Sequence, residues 1–208
     1  MKLIELTLND YLSVLGSDAP APGGGSASAL CGAQGAQLAA MVARLTLGRA
    51  KYAAYQTLCE ETAHKCDDLA ARLTQAIDRD TEAFNLVSAA FKLPKETEEE
   101  KAARRQAIAD ATLVATQVPF ATLQMAAEGL GYCTALVGKS NANAASDLGV
   151  AALNLNACAG GAWLNVRINL GGVKDAEQAA HFEREGQRLL AQAQESAAHI
   201  AAQIAESL

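Results

Sequence analysis

The chain has 208 residues, of which 50% are hydrophobic and 4% aromatic, and its formal net charge is −6. This acidic balance argues against nucleic acid as a partner, because binding to phosphates requires a basic face. No apolar stretch reaches the length of a membrane span without polar interruptions, and the N-terminus lacks the apolar run of a signal peptide. Neither a membrane partner nor secretion is therefore expected.

The five cysteines are odd in number and include no Cys-x-x-Cys pair, which favours reduced, buried thiols in a cytoplasmic protein. Much of the apolar content is alanine, whose small side chain allows close helix packing, and β-branched runs are nearly absent. The length suits one domain. We therefore predict an all-α fold, a single-domain bundle of long antiparallel helices over residues 1–208 with an extended glycine-rich loop.

In the first half of the chain, Thr7 and Asp10 resemble a capping box that starts a short helix. A loop rich in proline and glycine follows over 17–25. The nearly continuous apolar run over 26–47 predicts a helix that is buried on all sides. Residues 52–91 then form either one long helix or two, which end before a proline.

In the second half, Thr97 forms a capping box with a glutamate and starts a helix that runs to about residue 129. Pro119 lies inside this helix and is expected to kink or break it. We predict an irregular turn over 131–143, an apolar helix over 144–164 and a short loop over 167–172. Residues 175–208 form a final amphipathic helix.

The first candidate site is the glycine run that precedes the helix over 26–47. Here Gly23, Gly24 and Gly25 are followed by Ser26. Glycines at a helix N-terminus leave backbone N–H groups bare and allow a ligand to approach the main chain. A plain flexible turn explains the same pattern equally well.

A second candidate is a polar cluster before the apolar helix over 144–164. It contains Asn141, Asn143, Ser146 and Asp147, and the second and fourth of these share a helix face. Helix capping by one of the asparagines is the simpler explanation. Two asparagines, a serine and an aspartate are more than a cap requires.

A third candidate is a pair of asparagines, and a fourth consists of an aspartate and a later lysine, all beside apolar segments. Asn165 and Asn169 offer both donors and acceptors, which suits a heterocycle with an amide edge, although asparagines in a loop are equally consistent. Asp80 precedes an apolar face and is either a carboxylate at a cleft or an ordinary solvated charge. Lys95 follows a proline and is either a functional cation or a surface lysine.

No metal site is expected. The three histidines have no metal-ligand spacing, and the cysteines do not cluster. Proton transfer would then depend on Asp, Lys, Ser or Asn side chains.

The candidate segments described above, in their order along the chain, resemble the cyclodeaminase/cyclohydrolase family. That family includes the cyclodeaminase half of formiminotransferase-cyclodeaminase and free-standing methenyltetrahydrofolate cyclohydrolases. The segments that carry the resemblance are Ala-Pro-Gly-Gly-Gly-Ser (21–26), Ala-Ala-Met-Val-Ala-Arg-Leu-Thr-Leu-Gly-Arg-Ala-Lys-Tyr (39–52), Asp-Thr-Glu-Ala-Phe (80–84), Leu-Pro-Lys-Glu-Thr-Glu-Glu-Glu-Lys (93–101), Val-Pro (118–119), Asn-x-Asn-x-x-Ser-Asp-x-Gly-Val (141–150) and Leu-Asn-Val-Arg-Ile-Asn (164–169). Two departures are Ser140, where the family usually has glycine, and the Arg-Ala-Lys-Tyr sequence over 49–52, where it often has Lys-Lys-Lys-Tyr.

The resemblance implies a helical homodimer that acts on a tetrahydrofolate derivative and has no bound cofactor. By this comparison Asp80 or Asp147 faces the cationic carbon centre, and Lys95 donates or orients a proton. The implied substrate-binding residues are Gly23, Gly24 and Gly25 for part of the folate, Asn143, Asn165 and Asn169 for the pterin edge, and Arg49 and Lys51 for the glutamate tail. Ser26, Asn141 and Ser146 are also implied to bind the substrate.

The resemblance covers two reactions. Of these we favour the cyclohydrolase, in which water converts methenyltetrahydrofolate to 10-formyltetrahydrofolate, because no transferase segment is recognised in these 208 residues. The alternative is the cyclodeaminase, which converts formiminotetrahydrofolate to the methenyl compound and ammonia. A non-catalytic helical dimerisation scaffold is the remaining interpretation.

Overall fold

The computed structural model describes residues 2–206, which fold into α-helices and short 3₁₀ turns with no strand among them. This confirms the predicted all-α class. The α-helices are α1 (Leu8–Leu15), α2 (Gly24–Arg44), α3 (Gln56–Phe91), α4 (Glu98–Leu136), α5 (Ala145–Leu170) and α6 (Ala176–Ala205). The 3₁₀ turns are Leu3–Glu5, Ala50–Tyr55 and Ala142–Ala144.

Helices α2 and α5 form the centre of the bundle and run antiparallel. Gly24 lies beside Asn165 at one end, and Gly35 lies against the main chain of Ala151 farther along. Helices α3 and α4 pack across this pair, and α6 packs on α4 and α5. One apolar core extends through α2 to α6, which supports the predicted bundle.

The predicted helix starts agree with the observed caps. The Thr7 hydroxyl accepts a hydrogen bond from the Asp10 N–H at 3.2 Å, and α1 follows. Thr97 and Glu100 form a complete capping box at the start of α4. These local signals are readable because an exposed N–H at a helix start needs a nearby side-chain acceptor.

Pro119 was expected to kink or break α4, and the helix is not broken there, nor does an irregular turn begin near residue 131. The helix continues through the proline to Leu136. A proline has no N–H to give to the carbonyl four residues earlier, here that of Ala115. The side-chain amide of Asn169 donates to this carbonyl at 2.9 Å, so the missing bond is replaced from α5.

Two other predicted boundaries were wrong. Helix α5 runs to Leu170, so the region predicted as a loop over 167–172 is mostly helical, and Asn165 and Asn169 both lie on a helix. Helix α2 begins at Gly24 rather than at residue 26, so the loop before it holds only the first of the three glycines. The end of the final predicted helix, 207–208, lies outside the described residues.

All five cysteines are free, and four of them are buried. Burial raises the pKa of the Cys66 and Cys158 thiols to about 12, so both are neutral at ordinary pH. None of the helices between residues 2 and 206 has the length and apolarity needed to span a bilayer.

Candidate active site

A cleft of about 300 Å³ opens where the start of α2 meets α3 and the end of α5. We call it the Asp80 cleft. It brings together three of the predicted segments, which are distant in sequence. Its lining residues are Pro20, Ala21, Gly23, Gly24, Asp80, Ala83, Phe84, Val87, Ala115, Asn165, Ile168 and Asn169.

The carboxylate of Asp80 caps the N-terminus of α2 from the neighbouring helix. Its Oδ2 accepts a hydrogen bond from the Ser26 N–H at 2.9 Å and another from the Ser26 hydroxyl at 3.1 Å. A Cβ on Gly25 would overlap with this carboxylate, so only glycine allows so close an approach. The positive end of the α2 dipole therefore faces Asp80.

Burial raises the pKa of the Asp80 carboxyl above its ordinary value, although the hydrogen bonds from Ser26 act in the opposite direction. A carboxyl whose pKa is closer to neutrality is a more effective proton acceptor at physiological pH. Its half-buried position also leaves it accessible from the cleft. Asp80 is thus the group in this cleft best suited to proton transfer.

The asparagines on α5 are partly committed to the protein itself. The Asn165 amide nitrogen donates to the Gly161 carbonyl at 2.8 Å, and that of Asn169 donates to Ala115 and Asn165 carbonyls at 2.9 Å. Neither side-chain oxygen has a partner within residues 2–206. The cleft therefore presents two amide oxygens as acceptors, held in place by their own nitrogens.

The start of α2 contributes donors to the same cleft. The N–H groups of Gly24 and Gly25 find no acceptor between residues 2 and 206, since the first turn of a helix lacks internal partners. Opposite them lie apolar side chains, of which Phe84 is 39% exposed and Ile168 81% exposed. Such a mixture of an apolar wall, donors and acceptors suits a flat heterocycle with polar edges.

A second cleft of about 400 Å³ lies beyond the other end of α2, and we call it the Lys51 cleft. Lys51 and Asn141 are among its lining residues. Asn141 has a structural role, because its N–H donates to the Thr46 hydroxyl at 2.8 Å and its amide to the Leu45 carbonyl at 3.2 Å. Its side-chain oxygen also accepts from the Asn143 N–H and so caps the 3₁₀ turn Ala142–Ala144, whereas α5 itself starts without a side-chain cap.

The rest of the predicted polar cluster lies at the same end of the molecule as the Lys51 cleft. Asn143 and Ser146 are exposed, and Asp147 is half-buried in the first turn of α5. Helix α2 has 21 residues, which separates the two ends of the bundle by about 30 Å at 1.5 Å per residue. Within one chain, the polar cluster is therefore too far from the Asp80 cleft to contribute to it.

The two remaining predicted residues line neither cleft. Arg49 is exposed, and its Nε donates to the Leu45 carbonyl at 2.7 Å just past the end of α2. Lys95 is exposed in the loop between α3 and α4. The roles in substrate binding and proton donation that the resemblance implies for them stay predictions.

Tyr11 is a residue near the site that the sequence did not single out. It is 5% exposed, and its hydroxyl has no hydrogen-bond partner in the described part of the chain. Burial raises the pKa of Tyr11, and the nearby Cys31 and Asp80 raise it further. No local sequence pattern indicated that this hydroxyl would be buried without a partner.

No group of three or more His, Cys, Asp or Glu side chains within residues 2–206 is arranged to hold a metal ion.

Comparison with known proteins gives a family match over residues 7–188, to the family described as formiminotransferase-cyclodeaminase. The chain is 41% identical over 187 residues to a methenyltetrahydrofolate cyclohydrolase from Methylorubrum extorquens, with 90% of each chain covered.

Two further similarities have different scopes. The chain is 34% identical to a formimidoyltransferase-cyclodeaminase from Sus scrofa. This similarity spans 94% of the chain but only 36% of that protein. It also resembles the crystal structure of formiminotetrahydrofolate cyclodeaminase from Thermotoga maritima, with a TM-score of 0.80, 24% identity, and 98% and 96% of the two chains covered. The second likeness shows that the two proteins share a fold.

Proposed function

The chain belongs to the formiminotransferase-cyclodeaminase family, and we propose that it is a folate one-carbon enzyme, a methenyltetrahydrofolate cyclohydrolase. The observation that carries this choice is the match to the Methylorubrum extorquens cyclohydrolase, which spans 90% of both chains. The chain spans only about a third of the Sus scrofa formimidoyltransferase-cyclodeaminase. The Asp80 cleft supplies the groups that such a reaction needs.

The reaction requires one water and the net release of one proton. Water adds to the methenyl carbon that bridges N5 and N10, and one of its protons leaves to a base. The bond from that carbon to N5 then breaks, the second proton moves to N5, and N10 keeps the formyl group. We assign the base to Asp80, because burial raises the pKa of its carboxyl and the cleft gives water access to it.

The ionised carboxylate has a second effect on the same substrate. The methenyl compound is a cation, and a negative charge in a partly buried site attracts it more strongly than in water. The Phe84 ring and Ile168 side chain offer apolar surface for the pterin. The side-chain oxygens of Asn165 and Asn169 are placed to accept hydrogen bonds from N–H groups at its edge.

Cyclodeaminase activity is the second candidate. It is favoured by relatives such as the Sus scrofa protein, which is 34% identical over 94% of this chain. In that reaction N10 attacks the formimino carbon on N5 and ammonia leaves. A base and a carboxylate beside a cationic carbon serve both reactions, so the residues of the cleft are compatible with either.

The assay that separates them uses the purified chain with each substrate in turn. Hydrolysis of 5,10-methenyltetrahydrofolate is followed by the loss of its near-ultraviolet absorbance, and deamination of formiminotetrahydrofolate by released ammonia. We expect accelerated decay of the first substrate and no ammonia from the second. Ammonia release without accelerated decay would support the cyclodeaminase, and failure with both, together with no folate binding, would support a scaffold.

We also propose that the enzyme is a cytoplasmic homodimer that pairs through α5. No charged residue occurs from residue 148 to residue 166, although one face of this helix is exposed. The exposed face carries Leu153 at 63%, Leu164 at 65% and Ile168 at 81% exposure. A helix face in water normally carries charges, and large exposed apolar patches mark interfaces.

A further inference from the structure

The exposed apolar residues of α5 form one straight stripe with internal symmetry. We define the α5 stripe as Val150, Leu153, Ala157, Leu164 and Ile168, which lie three, four or seven residues apart and so share a helix face. Its bulky residues stand at both ends and its middle is small, with two glycines between the third and fourth members. Val150 and Ile168 lie nine residues on either side of residue 159, and Leu153 and Leu164 lie six and five residues from it.

This symmetry suits a second copy of the same chain packed antiparallel. In a twofold dimer the same patch meets itself, so each residue faces its mirror position about the middle of the stripe. Val150 then faces Ile168 of the partner subunit, and Leu153 lies within one residue of the level of Leu164 of the partner subunit. The small residues allow the two helices to approach closely at the centre.

The helix also fixes which polar groups come to the edge of this contact. Asp147 and Asn165 are eighteen residues apart, which is about five full turns at 3.6 residues per turn, so they lie on the same flank of α5. That flank faces α2, because Asn165 lies beside Gly24. A twofold axis between antiparallel helices brings the same flanks of both copies to the same side.

The two ends of the molecule consequently meet across the dimer. With the stripe centred as above, Asp147 of the partner subunit lies level with Gly171, about 3 Å beyond Asn169 along the axis at 1.5 Å per residue. Ser146 of the partner subunit is one residue farther. Within one chain, the polar cluster lies about 30 Å from the Asp80 cleft. In the dimer, the polar cluster of the partner subunit lies at the mouth of this cleft.

We propose that each active site is shared between two subunits, with Asp80, Asn165 and the α2 N-terminus from one chain, and Asp147 with Ser146 from its partner. This proposal rests on the proposed function. Asp80 accepts the proton from water, and Asp147 of the partner subunit holds the cationic substrate by charge at the mouth of the cleft. The assignment explains an exposed serine and a half-buried aspartate, neither of which has a side-chain hydrogen bond or ion pair within residues 2–206.

The test is complementation between two inactive variants. Asp80→Asn and Asp147→Asn chains, each with a different affinity tag, are co-expressed, and the heterodimer is purified on both tags. A shared site gives the heterodimer one intact site and one site with both substitutions. We expect each variant homodimer to lose activity by about 10²-fold or more, and the heterodimer to regain about half of the wild-type rate.

A heterodimer no more active than the two homodimers would overturn the proposal, because it would show that both aspartates act within one chain. The wild-type dimer is the reference for the proposed function. Should it hydrolyse no methenyltetrahydrofolate, the proposed function fails, and the arrangement of subunits is still tested by cross-linking.

Disulfide cross-linking tests the arrangement of the two subunits without a measurement of enzyme activity. The Val150→Cys/Ile168→Cys double variant should form a disulfide-linked dimer on a non-reducing gel. Val150→Cys alone should not, because the two copies of that position are about 27 Å apart in the antiparallel arrangement at 1.5 Å per residue. Cross-linking of the single variant, or of neither, would contradict antiparallel pairing through α5.

Discussion

At the scale of single residues, the position of Asp80 determines both its hydrogen bonds and its protonation. Its carboxylate caps α2 by accepting a hydrogen bond from the Ser26 N–H at 2.9 Å, and the same side chain lines the cleft. The cap favours the ionised form, whereas burial opposes it, and burial has the larger effect on the pKa. The carboxyl that we propose as the catalytic base is thus held in place at some cost to stability.

This cost leads to a prediction about stability and pH. Because the folded-state pKa of Asp80 is raised, its contribution to the free energy of unfolding is most favourable below about pH 3.9, the ordinary value for Asp, and is lost as the pH rises through the folded-state pKa. We expect Asp80→Asn to be more stable than wild type at neutral pH and to lose this advantage in acid, measured by urea unfolding.

The matched control is Glu82→Gln, which removes an exposed charge from the same helix. This variant should show no comparable gain at neutral pH. If Asp80→Asn were less stable than wild type at neutral pH, the hydrogen bonds from Ser26 would outweigh the burial of the charge, and the direction assigned to the pKa would be wrong.

Tyr11 gives a second prediction at this scale. Its buried hydroxyl has no partner within residues 2–206, and an unsatisfied buried polar group costs about 1–3 kcal/mol. Tyr11→Phe should therefore leave the free energy of unfolding unchanged or increase it. Tyr52→Phe is the comparison, because the Tyr52 hydroxyl accepts from the Ala142 N–H at 2.9 Å and its removal should cost about 0.5–1.5 kcal/mol. Equal losses for both variants would contradict this view.

At the scale of helices, the tie between α4 and α5 holds one wall of the Asp80 cleft. Pro119 leaves the Ala115 carbonyl without its helical donor, and the Asn169 amide supplies one at 2.9 Å. Both Ala115 and Asn169 line the cleft, so the same hydrogen bond keeps α4 intact and fixes the orientation of a cleft asparagine.

A double-mutant cycle tests this tie. Asn169→Leu leaves the Ala115 carbonyl unpaired and should cost about 1–3 kcal/mol of unfolding free energy. Pro119→Ala restores a backbone N–H to that carbonyl, so the cost of Asn169→Leu should be smaller in the Pro119→Ala background. Costs that simply add, measured by chemical denaturation, would show that the two residues are independent.

The sequence predicts helices well where the signal is local and poorly where a partner is remote. Thr97 and its glutamate mark the start of α4 because a cap is a contact across three residues. The continuation of α4 past Pro119 depends on an amide fifty residues later, which no local pattern reveals. The same limit hid the cap of α2, which comes from Asp80 on another helix rather than from its own N-terminus.

The grouping of the candidate-site residues was predicted only in part. Gly24, Asp80 and Asn165 do meet in one cleft, as the ordered motifs suggested. Asn141 instead braces the end of α2, and Asp147 lies at the far end of the bundle. Sequence order alone cannot distinguish a site within one chain from one that two chains complete.

At the scale of the whole molecule, the charge-free stretch of α5 from residue 148 to residue 166 predicts that the isolated subunit is not the working form. Leu164 belongs to the α5 stripe and is 65% exposed. Leu164→Glu places a charge in the proposed interface and should convert the dimer to monomers in light scattering, because burying an unpaired charge is costly. Leu8→Glu, at 64% exposure on α1, is the matched control and should remain dimeric. A monomeric wild type would contradict this arrangement.

The proposed mechanism depends on Asp80, which accepts a proton from water during hydrolysis of methenyltetrahydrofolate. It is tested most directly by following the absorbance of that substrate with wild-type protein and with Asp80→Asn, at equal concentrations and with binding measured separately. We predict rapid decay with wild type and a kcat lower by about 10²–10⁴-fold in the variant, which still binds substrate. A variant that turns over methenyltetrahydrofolate at the wild-type rate would contradict the account.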